Sequence, residues 1–379
     1  MSHSIVIGLG FGDEGKGITT SYLCKKLEGT KIVVRFNGGH QAGHTVVFNG
    51  KRHIFSSWGS GTLQGIPTYW SEYCTFYPTA FLNERDALIP KVHTLPNFYI
   101  HPMSPVTTPY DVVANQRSAD KNGHGSVGVG FGTTIKRQED FYKLHVQDLF
   151  YESVFRAKLD NIAKYYGIDI EEEVIESFIL DCKNCSRFIK LSNYKELKNY
   201  AHVIYEGAQG VLLDQDMGFF PNVTRSNTTT KNALKIVNKL SSMCEIWYVT
   251  RTYQTRHGNG FMTNENEPLE LVNNENETNV QHRFQGKFRT SKLDPELIDY
   301  ALNSDMINHH HNLLIFKNLF ITCNDQCEFP LTIIPDNKYE HVPNYKIKEL
   351  QTDITFKQLI LSHSDDLSKC VDGRSLTNN

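Results

Sequence analysis

The sequence predicts an α/β fold with a large, mostly parallel central sheet and flanking helices. Ser4–Gly8 is a short apolar run that enters glycine-rich sequence, Ile18–Leu27 has helical character, and Lys31–Phe36 is a second apolar run. A strand, a glycine loop, a helix and a strand in this order form a βαβ unit, whose strands are parallel. The short apolar runs Val203–Tyr205 and Ile246–Val249 are typical of further buried parallel strands with loops at their carboxyl ends.

Three later segments are less regular. Ile162–Lys198 is charged and weakly amphipathic, which predicts a largely helical region. Asn264–Thr278 is acidic and rich in asparagine, which predicts a surface loop, and the turn formers of Thr332–Tyr345 predict turns. Since no repeat and no clear linker interrupts the sequence, we expect one domain over residues 1–379.

Composition excludes several classes of protein. A chain with 39% hydrophobic residues, 11% aromatic residues and a net charge of -3 is not expected to be mainly disordered. The balance of 39 basic and 42 acidic residues gives no electrostatic reason to expect nucleic acid or an anionic membrane as a partner. No apolar run approaches the roughly 18 residues of a membrane span, and we expect none. The eight cysteines, without the basic and apolar features of a signal peptide, predict reduced thiols and a cytoplasmic location.

The first glycine loop matches two phosphate-binding patterns. Residues 10–16, GFGDEGK, fit both the G-x-G-x-x-G of dinucleotide folds and the G-x-x-x-x-G-K of phosphate loops. In either case, backbone N–H groups and a helix N-terminus can approach a phosphate. A dinucleotide site needs an acidic residue near the end of the second strand, but Arg35 is found there. Lys16 is a good phosphate ligand, so the loop favours a nucleoside triphosphate.

The same loop also departs from the usual phosphate loop. Gly17 stands where a Ser or Thr hydroxyl would normally bind Mg²⁺. Asp13 and Glu14 supply carboxylates instead, and Asp13 could bind Mg²⁺, act as a base, or do both. The alternative is a structural glycine turn with solvated charges.

Two more polar loops follow predicted strands. Residues 35–45 hold three glycines and two histidines, and an imidazole near a phosphate could act as a general acid. Residues 205–210, YEGAQG, include Gln209, whose carboxamide suits a purine edge or an anionic oxygen. The hydroxyls of Thr224–Thr230 suit phosphate contacts. The alternative for the two histidines is a structural role, and the alternative for Thr224–Thr230 is a solvated Ser/Thr turn.

Four motifs in order, GDEGKG, FNGGHQAGHTVV, YEGAQGVLLDQDMGFFPNVTRSNTT and TRTYQTRHGNG, resemble those of the adenylosuccinate synthetase family. The resemblance implies a Mg²⁺-dependent homodimeric ligase of purine biosynthesis. In the implied reaction, GTP phosphorylates O6 of IMP and the amine of L-aspartate then displaces that phosphate to give adenylosuccinate.

The resemblance also implies roles for individual residues. Asp13 resembles the base that takes the N1 proton of IMP and also a Mg²⁺ ligand, and the Gly43 carbonyl resembles a second Mg²⁺ ligand. His44 resembles the acid that assists phosphoryl transfer, and Gln209 the group that stabilises the 6-phosphoryl intermediate. Contacts to the triphosphate are implied for Gly12, Glu14, Gly15, Lys16, Gly17, Thr45 and Asp325. Contacts to the purine monophosphate are implied for Asn37, Gln41, Ser126, Gln209 and Thr224. Contacts to aspartate are implied for Lys287 and Arg289.

Several positions depart from the family pattern. Val127 stands where the family has a threonine, and Phe141 falls near the arginine that reaches the partner subunit's IMP phosphate. Lys136 or Arg137 could replace that arginine. Cys323 replaces a lysine of the guanine-recognition strand, whereas its aspartate remains as Asp325. The sequence therefore predicts GTP as donor and leaves ATP or dATP as an alternative.

The departures, together with the segments TRTYQTRHGNG and FQGKFRTSKLD, are also similar to a divergent phage branch of the family that joins aspartate to GMP or dGMP. That branch typically has a smaller residue in place of the aspartate of GDEGKG. Because Asp13 is present here, the sequence favours IMP, with GMP or dGMP as the alternative acceptor.

Overall fold

The computed structural model describes residues 1–122, 127–267, 269–271, 286–309, 312–336, 344–364 and 367–372. The strands in these ranges are β1 (Ser2–Gly8), β2 (Lys31–Arg35), β3 (His44–Phe48), β4 (Lys51–Phe55), β5 (Thr68–Trp70), β6 (Phe98–Ile100), β7 (Ile189–Leu191), β8 (His202–Gly210), β9 (Met243–Arg251), β10 (Tyr253–His257), β11 (Phe288–Lys292), β12 (Leu314–Thr322), β13 (Ile333–Pro335), β14 (Tyr345–Ile347), β15 (Gln358–Ser362) and β16 (Cys370–Asp372). The α-helices are α1 (Lys16–Lys26), α2 (Pro78–Leu88), α3 (Pro109–Asn122), α4 (Phe131–Glu139), α5 (Glu152–Tyr166), α6 (Glu172–Cys185), α7 (Lys231–Val237) and α8 (Pro295–Met306).

One large sheet organises the described part of the chain. It contains ten strands in the order β16-β15-β12-β9-β1-β8-β2-β5-β6-β7. Every neighbouring pair is parallel except β15 and β16, which are antiparallel. This arrangement confirms the predicted fold class. The strand β1 lies between β8 and β9, and the crevice at the carboxyl ends of such central strands is where open α/β sheets bind ligands.

Both faces of the central strands are buried, which explains their continuous apolar sequences. Ile5 and Ile7 pack on one face, in a cluster that includes residues of α7 and α8. Val6 points to the other face, where it belongs to a cluster with Leu23 and Cys24 of α1. Alternation along β1 therefore places one helical layer on each side of the sheet.

The region Ile162–Lys198 is largely helical, as predicted, but one edge strand interrupts it. Helix α5 ends at Tyr166, α6 ends at Cys185, and the edge strand β7 follows. Ile189 is buried and pairs with Phe98 of β6. A three-residue strand is too short to show a periodicity of its own, so it could not be predicted from the sequence.

The other two irregular segments are described only in part. Residues 264–267 form a turn, whereas residues 268 and 272–278 of the predicted surface loop lie outside the described residues. The predicted turns of Thr332–Tyr345 are replaced at their ends by β13 and β14, which form an antiparallel pair. Within the described residues, the helices are too short or too polar for any of them to cross a membrane.

Candidate functional site

A cleft of about 930 Å³ opens across the carboxyl ends of β1, β2, β8, β9 and β12. It brings together most of the residues that the sequence singled out: Gly12, Asp13, Gly15, Lys16, Gly17, Gln41, Gly43, His44, Thr45, Gln209, Thr224 and Asp325. Glu14, Asn37, Lys287 and Arg289 are not among the lining residues, and Ser126 lies outside the described residues.

Glu14 is buried beneath the glycine loop and holds its shape. One carboxylate oxygen accepts hydrogen bonds from the backbone N–H of Gly10 at 3.0 Å and of Gly12 at 2.7 Å. The other oxygen accepts from Nζ of Lys16 at 2.5 Å. A Cβ atom at Gly8 would lie 2.1 Å from this carboxylate, so the glycine there is required by close approach. Glu14 therefore orients the loop and Lys16 from below and does not face the cleft.

Asp13 carries the carboxylate that does face the cleft. Its backbone is left-handed, with φ of 63°, which is uncommon for a non-glycine residue. The Oδ2 atom lies 3.0 Å from Nε2 of His257, and the backbone carbonyl accepts a hydrogen bond from Nε of Arg251. Burial acts to raise the pKa of Asp13, but His257, Arg251 and Lys16 together lower it below the ordinary value. Asp13 is therefore ionised at neutral pH.

His44 is paired with Glu206, a buried acid in the middle of β8. Nδ1 of His44 lies 2.6 Å from Oε1 of Glu206, and the other carboxylate oxygen accepts from the Ser60 backbone N–H at 3.0 Å. Burial lowers the pKa of His44 below its ordinary value, and Glu206 offsets that shift only in part. Burial acts to raise the pKa of Glu206, but His44 and Arg35 outweigh it, so the carboxylate stays ionised. Nε2 is left as the ring nitrogen that can meet a ligand, with an acid behind it to stabilise an imidazolium.

His40 and Asn37 have structural surroundings. His40 packs its ring on Tyr77 at a centroid distance of 5.0 Å, and burial lowers its pKa to about 4. Both ends of the Asn37 carboxamide bond the backbone of Ala208, at 2.9 and 2.7 Å. Asn37 therefore fixes the second glycine loop to β8 and His40 packs it on Tyr77, whereas His44 reaches the cleft.

Gln209 and Gln41 bring unsatisfied polar atoms into the cleft. Oε1 of Gln209 is buried and has no hydrogen-bond partner among the described residues, and the same holds for both amide atoms of Gln41. Gln209 also has a left-handed backbone, with φ of 59°. Buried polar groups are nearly always hydrogen-bonded, and strained backbone collects at functional sites. Both observations indicate a polar ligand here.

The opposite wall of the cleft carries cations whose roles the sequence did not reveal. Arg251, Arg256 and His257 all line it, and they come from the TRTYQTRHGNG segment. Arg256 donates to the carbonyls of Phe261 at 2.6 Å and Asn222 at 3.0 Å. Burial and the neighbouring Arg289 lower its pKa to about 10. The motif itself was the only signal for these residues, because their partners are distant in sequence.

The two predicted aspartate ligands, Lys287 and Arg289, are not among the residues that line the cleft. Arg289 donates to the carbonyls of Gly258 at 2.9 Å and Gly260 at 2.8 Å, and its Nη1 lies 2.7 Å from a carboxylate oxygen of Glu265. Lys287 is exposed. In this arrangement, Arg289 braces residues 258–265 rather than entering the cleft.

A family comparison identifies this architecture. The model of the adenylosuccinate synthetase family matches residues 5–325 of the sequence, which is most of its length. The chain belongs to the adenylosuccinate synthetase family. Among relatives, the adenylosuccinate synthetase of Bordetella avium is 31% identical over 275 residues, which cover 68% of this chain and 63% of that protein. The enzyme of Clostridium acetobutylicum is 32% identical over 248 residues, which cover 60% of this chain and 57% of that protein. Each matched stretch thus spans less than two thirds of the relative's own length.

Solved structures of two synthetases share the fold. The fully ligated adenylosuccinate synthetase of Plasmodium falciparum superposes with a TM-score of 0.70 and 17% identity, covering 97% of this chain and 99% of that one. The succinoaminodeoxyadenylate synthetase of cyanophage S-2L, bound to dGMP and to dATP as an energy donor, superposes with a TM-score of 0.64 and 11% identity, covering 98% and 95%.

Two of the positions that depart from the family pattern, Val127 and Cys323, line the cleft. Lys136 and Thr224 line it as well, and the Lys136 ammonium lies 2.8 Å from Asp140. Arg137 is fully buried in an ion pair with Asp111, where it also bonds backbone carbonyls. Of the two cations considered as replacements for the family's arginine, only Lys136 is therefore open to a ligand.

Proposed function

We propose that the protein is a ligase that joins L-aspartate to IMP with hydrolysis of GTP, through a 6-phosphoryl intermediate, to give adenylosuccinate. The observation that carries this proposal is the convergence of Asp13, Lys16, His44 and Gln209 on one cleft at the carboxyl ends of the central strands. Membership of the adenylosuccinate synthetase family supports it.

In the first step, Asp13 takes the proton from N1 of IMP, and the released charge moves onto O6. O6 then attacks the γ-phosphorus of the triphosphate, and the nucleoside diphosphate leaves. Lys16 and His44 neutralise charge on the transferring phosphoryl group, which is the main way proteins accelerate this chemistry. The Glu206 carboxylate, 2.6 Å behind His44, stabilises the imidazolium that this role requires.

In the second step, the aspartate amine attacks C6 and the phosphate leaves with the former O6. The amine loses a proton to the departing phosphate or to solvent, and N1 stays unprotonated, as it is in the adenine-type product. Gln209 would hold the phosphoryl group, and its Oε1, which has no partner among the described residues, would accept a hydrogen bond from a donor such as the attacking amine. Lys287 and Arg289 are our proposed ligands for the carboxylates of aspartate. Arg289 would exchange its present backbone carbonyl partners for them.

The residues present fit a magnesium ion. A Mg²⁺ ion at a nucleotide site usually takes one or two carboxylates, with phosphate oxygens and water completing its shell. Asp13 and the Gly43 carbonyl both face the cleft beside Lys16, and the structure, over its described ranges, holds no cluster of three acidic, His or Cys ligands. Asp13 and Gly43 would hold the ion, which when bound neutralises charge on the phosphates.

The remaining contacts follow the walls of the cleft. We propose that Gly15, Lys16, Gly17 and Thr45 bind the triphosphate and that Asp325 pairs with its guanine. Gln41 and Thr224 would bind the purine monophosphate, with Asn37 holding their loop in place. A homodimer and a cytoplasmic location are part of the same proposal.

A second candidate keeps the chemistry and changes the substrates. In it, GMP or dGMP accepts aspartate, giving 2-aminoadenylosuccinate or its deoxy form, with ATP or dATP as donor. It is favoured by Cys323, where the family's lysine is missing, and by the fold shared with a phage enzyme bound to dGMP and dATP.

A matrix of substrates tests both candidates. IMP, GMP and dGMP are each combined with GTP, ATP or dATP, Mg²⁺ and aspartate, and the product is identified by mass. We expect phosphate release only when monophosphate, triphosphate and aspartate are present together, with IMP and GTP the best pair. Phosphate release without a monophosphate, or no ligation product with any pair, would contradict the proposal.

A further inference from the structure

His257 holds one oxygen of the carboxylate that meets the purine. Its Nε2 atom lies 3.0 Å from Oδ2 of Asp13. An ionised carboxylate only accepts hydrogen bonds, so the imidazole nitrogen must be the donor in either charge state of the ring. His257 therefore occupies Oδ2 of Asp13 and does not occupy Oδ1.

The position of His257 is fixed by the strands that carry it. It is the last residue of β10, and its backbone pairs with Phe288 of β11. The two rings also pack together, with centroids 4.9 Å apart, and the His257 side chain is only 15% exposed. The donor therefore belongs to the wall of the cleft and is held against Asp13 by a neighbouring strand.

Hypoxanthine and guanine differ in the edge that they present to such a carboxylate. Hypoxanthine has a single donor there, N1–H. Guanine has two donors side by side, N1–H and the 2-amino group, which together match both oxygens of one carboxylate. An aspartate with both oxygens free can accept from both of these guanine donors, whereas an aspartate with one oxygen engaged can accept from N1–H alone.

We propose that His257 is a specificity-determining residue, which occupies one oxygen of Asp13 and so selects purine monophosphates without a 2-amino group. IMP meets the remaining oxygen through N1–H, whereas the 2-amino group of GMP or dGMP competes with the imidazole for Oδ2. This inference rests on the proposed function, because it assumes that Asp13 faces the purine edge.

The test compares three substitutions at this position. His257→Leu removes the donor and keeps an apolar contact with Phe288, and His257→Ala removes the donor without adding bulk. His257→Gln is the matched control, because its amide can still donate to Asp13. Dissociation constants for IMP and GMP are measured by calorimetry without other substrates, and kcat/KM for both is measured with aspartate and triphosphate. Thermal melting checks that each variant is folded.

We expect the parent to bind IMP more tightly than GMP. His257→Leu and His257→Ala should each shift the ratio of the two dissociation constants toward GMP by about tenfold, the size of one charge-assisted hydrogen bond. His257→Gln should keep a ratio close to that of the parent.

The contradicting results are distinct from a failure of the proposed function. A parent that binds GMP at least as tightly as IMP would overturn the inference while leaving the ligase chemistry intact. An unchanged ratio in folded His257→Leu and His257→Ala would also overturn it, as would an equal shift in His257→Gln. If no pair of substrates gives product, the ligase proposal fails, and the binding ratios still decide whether His257 selects between the two purines.

Discussion

The two walls of the cleft are built differently. The wall formed by residues 10–17, 37–45 and 206–210, here called the loop wall, holds its polar groups with buried partners, as in the Lys16–Glu14 and His44–Glu206 pairs. The wall formed by residues 251–265 and 286–292, here called the hairpin wall, holds its cations with backbone carbonyls and with acids such as Glu265 that are part-exposed. The difference separates a wall that is fixed before a ligand arrives from one that can exchange its partners.

Energetics agree with this division. Removing one partner of a buried ion pair typically destabilises a protein by about 3–5 kcal/mol, because a charge is left without compensation. An exposed pair is worth roughly 0.2–1 kcal/mol. The loop wall is therefore suited to groups that must be placed before chemistry. The hairpin wall is suited to recognition.

The largest expected effect is at Asp13, on the loop wall. Asp13→Asn removes the proposed base while keeping size and the contact with His257, so kcat should fall by about 10²–10⁴, the usual contribution of a general base. The melting temperature should change little, because the Asp13 side chain is 28% exposed. Turnover within about tenfold of the parent would remove Asp13 from the role of base.

His44 should show a loss of similar size. His44→Asn removes the group that meets the phosphoryl, and we expect kcat to fall by about 10²–10⁴. His40→Asn is the matched control, because His40 stands in the same loop but is not among the cleft-lining residues. If His40→Asn slows turnover more than His44→Asn does, the assignment of the two histidines is reversed.

The sequence predicted the loop wall better than the hairpin wall, for a physical reason. Asp13 and His44 stand in glycine loops directly after strands, and the carboxyl ends of parallel strands meet at one edge of a sheet. Glu206 could be read as part of a motif, but its pairing with His44 spans 162 residues and follows only from the order of β2 and β8 in the sheet. The His257–Asp13 contact likewise depends on how β10 lies against the first loop.

The binding partner of Arg289 could not be predicted from the sequence, for a different reason. Its spacing from Lys287 predicted a carboxylate clamp, and the structure shows it bonded to Gly258, Gly260 and Glu265. A guanidinium serves a substrate carboxylate, a side-chain carboxylate and backbone carbonyls with the same donors. Residue type and spacing cannot distinguish these partners, so the aspartate site stays a prediction.

A substitution at Arg289 tests whether the hairpin wall exchanges partners. Arg289→Leu should raise the KM for aspartate by about tenfold or more, because a charged hydrogen bond is worth roughly 1.5–3 kcal/mol. The KM for the purine monophosphate should stay nearly unchanged. Glu265→Gln is the control: it removes the competing acid but keeps Arg289, so the KM for aspartate should not rise. An increase in the purine KM alone after Arg289→Leu would place this segment elsewhere in the site.

The smallest expected effect concerns the choice of triphosphate. Asp325 can accept hydrogen bonds from N1–H and the 2-amino group of guanine, whereas the unprotonated N1 of adenine repels a carboxylate. Asp325→Asn should therefore lower kcat/KM for GTP by about tenfold or more, the value of one charged hydrogen bond, and leave the value for ATP unchanged. Parent activity with ATP above that with GTP would overturn this prediction and strengthen the second candidate function.

The fate of the purine oxygen tests the central proposal most directly. IMP labelled with ¹⁸O at C6 is incubated with GTP, Mg²⁺ and aspartate, and the released phosphate is analysed by mass spectrometry. A 6-phosphoryl intermediate predicts one ¹⁸O atom in each phosphate formed and none in the ligation product. If the phosphate carries no label while product forms, the purine oxygen leaves by another route, and the roles proposed for Asp13, His44 and Gln209 are wrong.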